Sequence, residues 1–168
     1  MKKTVLRYGM YGSITLAVLF SLGLYIGQFL DYTSREVIGY ATMVVSLSFI
    51  FFAIRHYRDK ENNGIVTFKQ ALKIGVLISL IVALVFGIID VIYIEFINPE
   101  FMAEYYTHYV EQYRSSLPEA EFQEKLKELE AQKELFASTF MSFIIMSMTV
   151  FVLGFIISLI STIFLQRK

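Results

Sequence analysis

Apolar residues fill four long stretches, about Tyr8–Leu30, Glu36–Tyr57, Phe68–Ile97 and Ser138–Leu165. Each exceeds the roughly 20 residues that a helix needs to cross a hydrocarbon core. Short charged segments separate the first three. Between the third and fourth lies a polar stretch, 98–137, with nine Glu against four Lys or Arg, a net of −5. The pattern predicts an all-α protein: a four-helix transmembrane bundle with an extracytoplasmic helical hairpin continuous with the fourth span. The whole chain, 1–168, reads as a single membrane domain.

The acidic stretch has helical periodicity of its own. Asn98-Pro99-Glu100 reads as a cap, a Pro in the first turn and an acid at the positive end of the helix dipole. Met102, Tyr105, Tyr106, Tyr109 and Tyr113 then form an aromatic stripe. Leu117-Pro118 breaks it, and Ser116 to Glu119 has the spacing of a capping box. Phe122, Leu126, Leu129 and Phe136 follow as a heptad-like seam. The stripe and the seam are natural partners, so an antiparallel hairpin is expected. Tyr105, Tyr109, Tyr113, Phe122, Leu126 and Leu129 make its candidate docking face. Laying residues 99–114 flat on the membrane is the competing arrangement. No Gly or Pro lies between Glu119 and Leu153, which predicts one unbroken helix into the fourth span. At about 1.5 Å per residue the hairpin would project on the order of 30 Å.

Composition agrees with a membrane protein. Of 168 residues 56% are hydrophobic, and mean hydropathy is +0.58, rare for a soluble domain. Net charge is zero, which gives no case for nucleic acid. Without cysteine, disulfides, thiolate metal sites and a Cys nucleophile are excluded. Without Trp, the 11 Tyr must supply any interfacial belt. The basic start, Lys2-Lys3 and Arg7, precedes an apolar run too long for a signal peptide, so retention as an anchor is expected.

The cations are sorted by position. Lys2, Lys3, Arg7, Arg55, Arg58, Lys60, Lys69, Lys73, Arg167 and Lys168 would share one side. Arg35, Arg114, Lys125, Lys127 and Lys133 would share the other. The excess marks the cytoplasmic side. Both termini are expected there, with the acidic stretch outside a bacterial inner membrane.

Small residues mark where helices meet. Ala71, Gly75, Ser79, Ala83 and Gly87 recur every fourth position, and Gly154, Ser158 and Thr162 form a looser series. In lipid such stripes let backbones approach closely, within the chain or across a homodimer.

Asp90 is the odd residue of the third span. At about 100° per residue it lies only about 20° from Ala83, so it points into the bundle. A carboxylate there must be paired, hydrogen-bonded, protonated or hydrated. Arg35, Gln28, Tyr40, Tyr25 and Ser142 are its candidate partners. Glu95 lies about 140° further round and is expected to turn to water. Asp90 reads either as a structural acceptor or as a proton or cation site. Glu100, Glu104, His108 and Glu111 fall near one helix face, which is ordinarily just solvated. No short catalytic or nucleotide-binding motif occurs, no cofactor is implied, and no span is broken by Pro.

The segment Ile54–Gly75, with Arg58-Asp59, Gly64 and Phe68-Lys69-x-Ala71, and the segment Ile92–Glu100, with Asn98-Pro99, resemble the bacterial membrane family termed domain of unknown function 4199. The resemblance covers nearly the whole chain. It implies a four-helix inner-membrane protein and brings no activity and no functional residue. The expectation is a non-enzymatic accessory protein docking through its outer hairpin to another membrane or periplasmic protein. The alternative is an oligomeric carrier or channel for a proton, cation or small solute, built on Asp90.

Overall fold

The computed structural model describes residues 1–167. Lys168, counted above among the cations, lies outside the described residues. Seven helices form: α1 (Lys2–Gly27), α2 (Tyr32–Leu47), α3 (Phe49–His56), α4 (Phe68–Ile92), α5 (Phe101–Ser116), α6 (Glu119–Phe136) and α7 (Thr139–Leu165). Single π turns extend two of them, Tyr57–Glu61 after α3 and Tyr93–Ile97 after α4. Four runs are long and apolar enough to cross a membrane: Lys2–Gly27, Tyr32–Glu61, Phe68–Ile97 and Thr139–Leu165. The all-α bundle read from the hydropathy pattern is therefore the architecture observed. The chain divides into two compact units, Gly87–Met146 and the remainder.

In the first unit α1, the α2–α3 pair, most of α4 and most of α7 pack around Leu16, Leu47, Ile50, Ile54, Ile74, Ile78, Val82 and Val150, all fully buried. The outward positions are just as apolar. Phe164 is 77% exposed, Tyr25 66% and Val37 63%. An apolar shell around an apolar core is what lipid requires and water penalises. Asp31 starts α2 by accepting a bond from the Ser34 N–H at 3.3 Å. Ser48, whose hydroxyl bonds the Val45 carbonyl at 2.6 Å, separates α2 from α3.

Helices α4 and α7 meet through small residues. A Cβ on Gly75 would stand 2.6 Å from Ser158 Cβ, and a Cβ on Gly154 would stand 2.6 Å from Ser79 Cβ. Each Gly thus faces the other helix's Ser, an antiparallel crossing of two Gly-x-x-x-Ser turns. The Ser79 and Ser158 hydroxyls lie 3.4 Å apart, and each also donates to a carbonyl of its own helix. At the charged end, Asn62-Asn63-Gly64 makes a turn, with Gly64 at φ +82°. Val66 then exchanges two backbone bonds with Arg167. The Arg58 guanidinium reaches the Leu165 carbonyl and pairs with Asp59 at 2.6 Å. Glu61 accepts from Thr4 and from the Met1 amine.

The second unit holds the end of α4, its π turn, the α5–α6 pair and the start of α7. Tyr109, Phe122 and Leu129 are buried between α5 and α6. Arg114, late in α5, lies over the ring of Phe122, early in α6, at 5.5 Å. Lys133, late in α6, lies over the ring of Tyr106, early in α5, at 4.6 Å. The pairing runs in opposite directions, so the two helices form an antiparallel hairpin.

Three local expectations need correction. The helix from Glu119 is interrupted at Ala137 and Ser138, because the Ser138 hydroxyl accepts the Met141 N–H and starts α7 as a new helix. Ser116 does not cap α6. It ends α5, and its hydroxyl is spent on the Gln112 carbonyl at 2.7 Å, while extended Leu117 and Pro118 lead into α6. Asn98 does not cap α5 either. The chain first closes the π turn by donating the Asn98 N–H to the Tyr93 carbonyl at 2.8 Å, α5 opens only at Phe101, and the Asn98 side chain donates to Glu104.

Candidate functional site

Asp90 sits in the last turn of α4 and is only 5% exposed. Its Oδ2 accepts the Ser142 hydroxyl of α7 at 2.8 Å. A hydrogen bond to a charged group is worth about 1.5–3 kcal/mol, and a buried carboxylate left without one costs more. Ser142 is itself 1% exposed, so donor and acceptor are both removed from solvent.

Five residues on, Glu95 makes the same kind of bond. Its Oε1 accepts the Thr139 hydroxyl, again from α7. The two pairs run antiparallel, the later acid with the earlier hydroxyl. A uniform α-helix would place Glu95 about 140° away from Asp90. The π turn Tyr93–Ile97 winds more residues into one turn than an α-helix does, so each residue rotates less. Glu95 is thereby brought to bear on the same neighbouring helix. Its carboxylate remains exposed while its oxygen is tied down. Neither the π turn nor the role of Thr139 has a signal in the periodicity, since nothing in Tyr93–Ile97 breaks the α-helical pattern.

The other candidates near Asp90 belong to the first unit. Arg35 donates to the Leu30 carbonyl at 3.0 Å and lies over the Tyr32 ring at 4.8 Å, so its charge is used at the α1–α2 corner. The Arg35 stem passes beside Gly27, where a Cβ would meet it at 3.5 Å in ordinary contact. Gln28, Tyr40 and Tyr25 are exposed. Of the small-residue stripe, Ala71, Gly75, Ser79, Ala83 and Gly87 are all buried.

The aromatic stripe is a continuous ladder. Tyr93, Phe101, Tyr105, Tyr109 and Tyr113 follow one another with ring centroids 5.5, 6.2, 4.5 and 5.7 Å apart. Tyr109 is buried in the hairpin seam with Phe122 and Leu129, and Tyr105, Tyr113 and Leu126 are half-buried at its edges. The candidate docking face is therefore largely the inside of the hairpin. What faces outward is polar: Glu111, Glu119, Glu121, Glu124, Glu128, Glu130 and Glu134 are exposed. Among the described residues no group of three His, Asp or Glu could hold a metal ion, and Glu100, Glu104, His108 and Glu111 form no such group.

The chemistry available is thus modest: one buried carboxylate and one exposed carboxylate, each held by a hydroxyl of α7, beside an acidic hairpin. No curated protein and no solved structure matches the chain. A family model does, over residues 7–167, nearly the whole chain. With four membrane-length helices and a match of that extent, the chain belongs to the family described as protein of unknown function, DUF4199.

Proposed function

We propose that this multi-pass membrane protein is a non-enzymatic accessory protein, which docks through the acidic outer surface of its hairpin onto a basic face of another membrane or periplasmic protein. The observation that carries this reading is the closed seam. Tyr109, Phe122 and Leu129 satisfy each other inside the hairpin, so the pair of helices stands as a formed element with a Glu-rich exterior. Formed helical surfaces with an excess of one sign of charge are suited to recognising a complementary partner. The sorting of Lys and Arg supports a hairpin outside the inner membrane with both termini in the cytoplasm.

The test is extraction from native membranes in lipid-retaining particles, followed by mass spectrometry of stoichiometric companions. Glu121, Glu124 and Glu130, all exposed, would be changed together to Lys. A companion held by the wild-type chain and lost from the charge-reversed one is the expected result. A chain that purifies only with itself overturns the reading. The second reading is an oligomeric proton or cation carrier, favoured by the paired Asp90–Ser142 and Glu95–Thr139 bonds. Proton flux in liposomes that survives Asp90→Asn unchanged would remove it.

A further inference from the structure

Between α1 and α4, in the first unit, lies a groove of about 360 Å³ lined by Val5, Leu6, Leu77, Leu80 and Ile81, with Lys2 and Lys73 at its charged end. The volume is within the roughly 300–1,000 Å³ of small-molecule sites. One end of the groove is fixed by Gly9. Ile81 packs where a Cβ of Gly9 would stand, so the two helices touch there.

The charge at this end is unspent. Lys2, Lys69 and Lys73 are exposed and make no ion pair among the described residues. Lys69 and Lys73 stand one turn apart on the same face of α4. The acids nearby are already engaged, Glu61 by Thr4 and the Met1 amine, Asp59 by Arg58 and Arg55. Below these cations the groove is apolar for two helical turns. Cations over an apolar slot match one kind of molecule, with a negative head and a hydrocarbon tail.

We infer that the α1–α4 groove is a binding site for an anionic phospholipid. Its acyl chain lies against Val5, Leu6, Leu77, Leu80 and Ile81, and its phosphate sits among Lys2, Lys69 and Lys73. Each lysine near an anionic head adds to the affinity, so removing three is expected to abolish the selectivity rather than trim it.

The full chain would be placed in nanodiscs of equal phosphatidylglycerol and phosphatidylcholine, and the lipid it keeps on release read by native mass spectrometry. The wild-type chain is expected to keep phosphatidylglycerol over phosphatidylcholine by roughly tenfold or more. The triple variant Lys2→Gln, Lys69→Gln, Lys73→Gln is expected to lose the preference, and Lys125→Gln with Lys127→Gln to keep it. A preference unchanged in the triple variant overturns the site. Should that variant fail to fold, the wild-type chain decides with phosphatidylglycerol carrying a photoreactive acyl chain. Crosslinks concentrated on Leu6, Leu77 and Leu80 support the site, and crosslinks spread evenly over the lipid-facing helices overturn it.

Discussion

Removing the Ser142 hydroxyl leaves the Asp90 carboxylate buried without the donor it has in this structure. Ser142→Ala is therefore expected to destabilise the protein by about 1–3 kcal/mol, read as a lowered melting temperature in detergent. Asp90→Ala in the same chain should recover part of that loss, because the orphaned acceptor is gone. Additive losses in this double-mutant cycle would show that the bond is not energetically coupled. A different constraint acts at Gly75 and Gly154. Each added Cβ would strike a Ser Oγ and, at 2.6 Å, the Ser Cβ behind it, which cannot rotate away as the hydroxyl can. Gly75→Ala is expected to push α4 and α7 apart at a cost of about 1–3 kcal/mol, whereas Gly39→Ala, inside α2 with open space around it, should keep or raise the melting temperature.

At the level of elements, the hairpin stands on few buried side chains. Phe122→Ala removes one of three buried in its seam and the ring under Arg114, and about 3–5 kcal/mol of local stability should go with it. The expected sign is proteolytic nicking near Leu117–Pro118 in a chain otherwise resistant there; an unchanged digestion pattern would mean the seam is not what holds the hairpin. Helix α2 depends on its cap. The Ser34 hydroxyl and N–H bonds hold the Asp31 carboxyl below the usual carboxylate range. A folded pKa below the unfolded one means the cap stabilises fully at pH values above about 4, and its contribution is lost as pH falls through the lower folded value. Protection of the Ser34 amide, taken against its intrinsic exchange rate at each pH, should fall in that acidic window, and Asp31→Ala should show the lower protection already at neutral pH. How much of the elements was legible follows from what each depends on. The Tyr109 stripe and the Phe122 seam are local periodicities, and both were readable. The break at Ser138 was not, since it depends on one hydroxyl turning toward its own backbone, without a Gly or Pro to announce it.

For the whole molecule, the proposed topology is open to direct measurement because the chain has no cysteine. Single Cys residues at Ser115 and Lys60, both exposed, give one label site in the hairpin and one in the charged segment after α3. In intact cells a membrane-impermeant maleimide should label the first and not the second. Labelling of Lys60→Cys alone would reverse the orientation and with it the docking proposal.

Hydropathy and periodicity by themselves determined the number of crossing helices, the small residues of the α4–α7 crossing, the hairpin and the isolation of Asp90 in an apolar span. These are properties of consecutive residues, and a helix in lipid must satisfy its backbone within itself, so local pattern suffices. Only the tertiary structure decided that the Ser142 hydroxyl meets Asp90, and that a π turn rotates Glu95 onto Thr139. Only it revealed a groove between α1 and α4 beneath unpaired lysines. The two bonds depend on which groups a second helix brings within about 3 Å, the range over which hydrogen bonds act, and the groove depends on which side chains two distant segments set against each other.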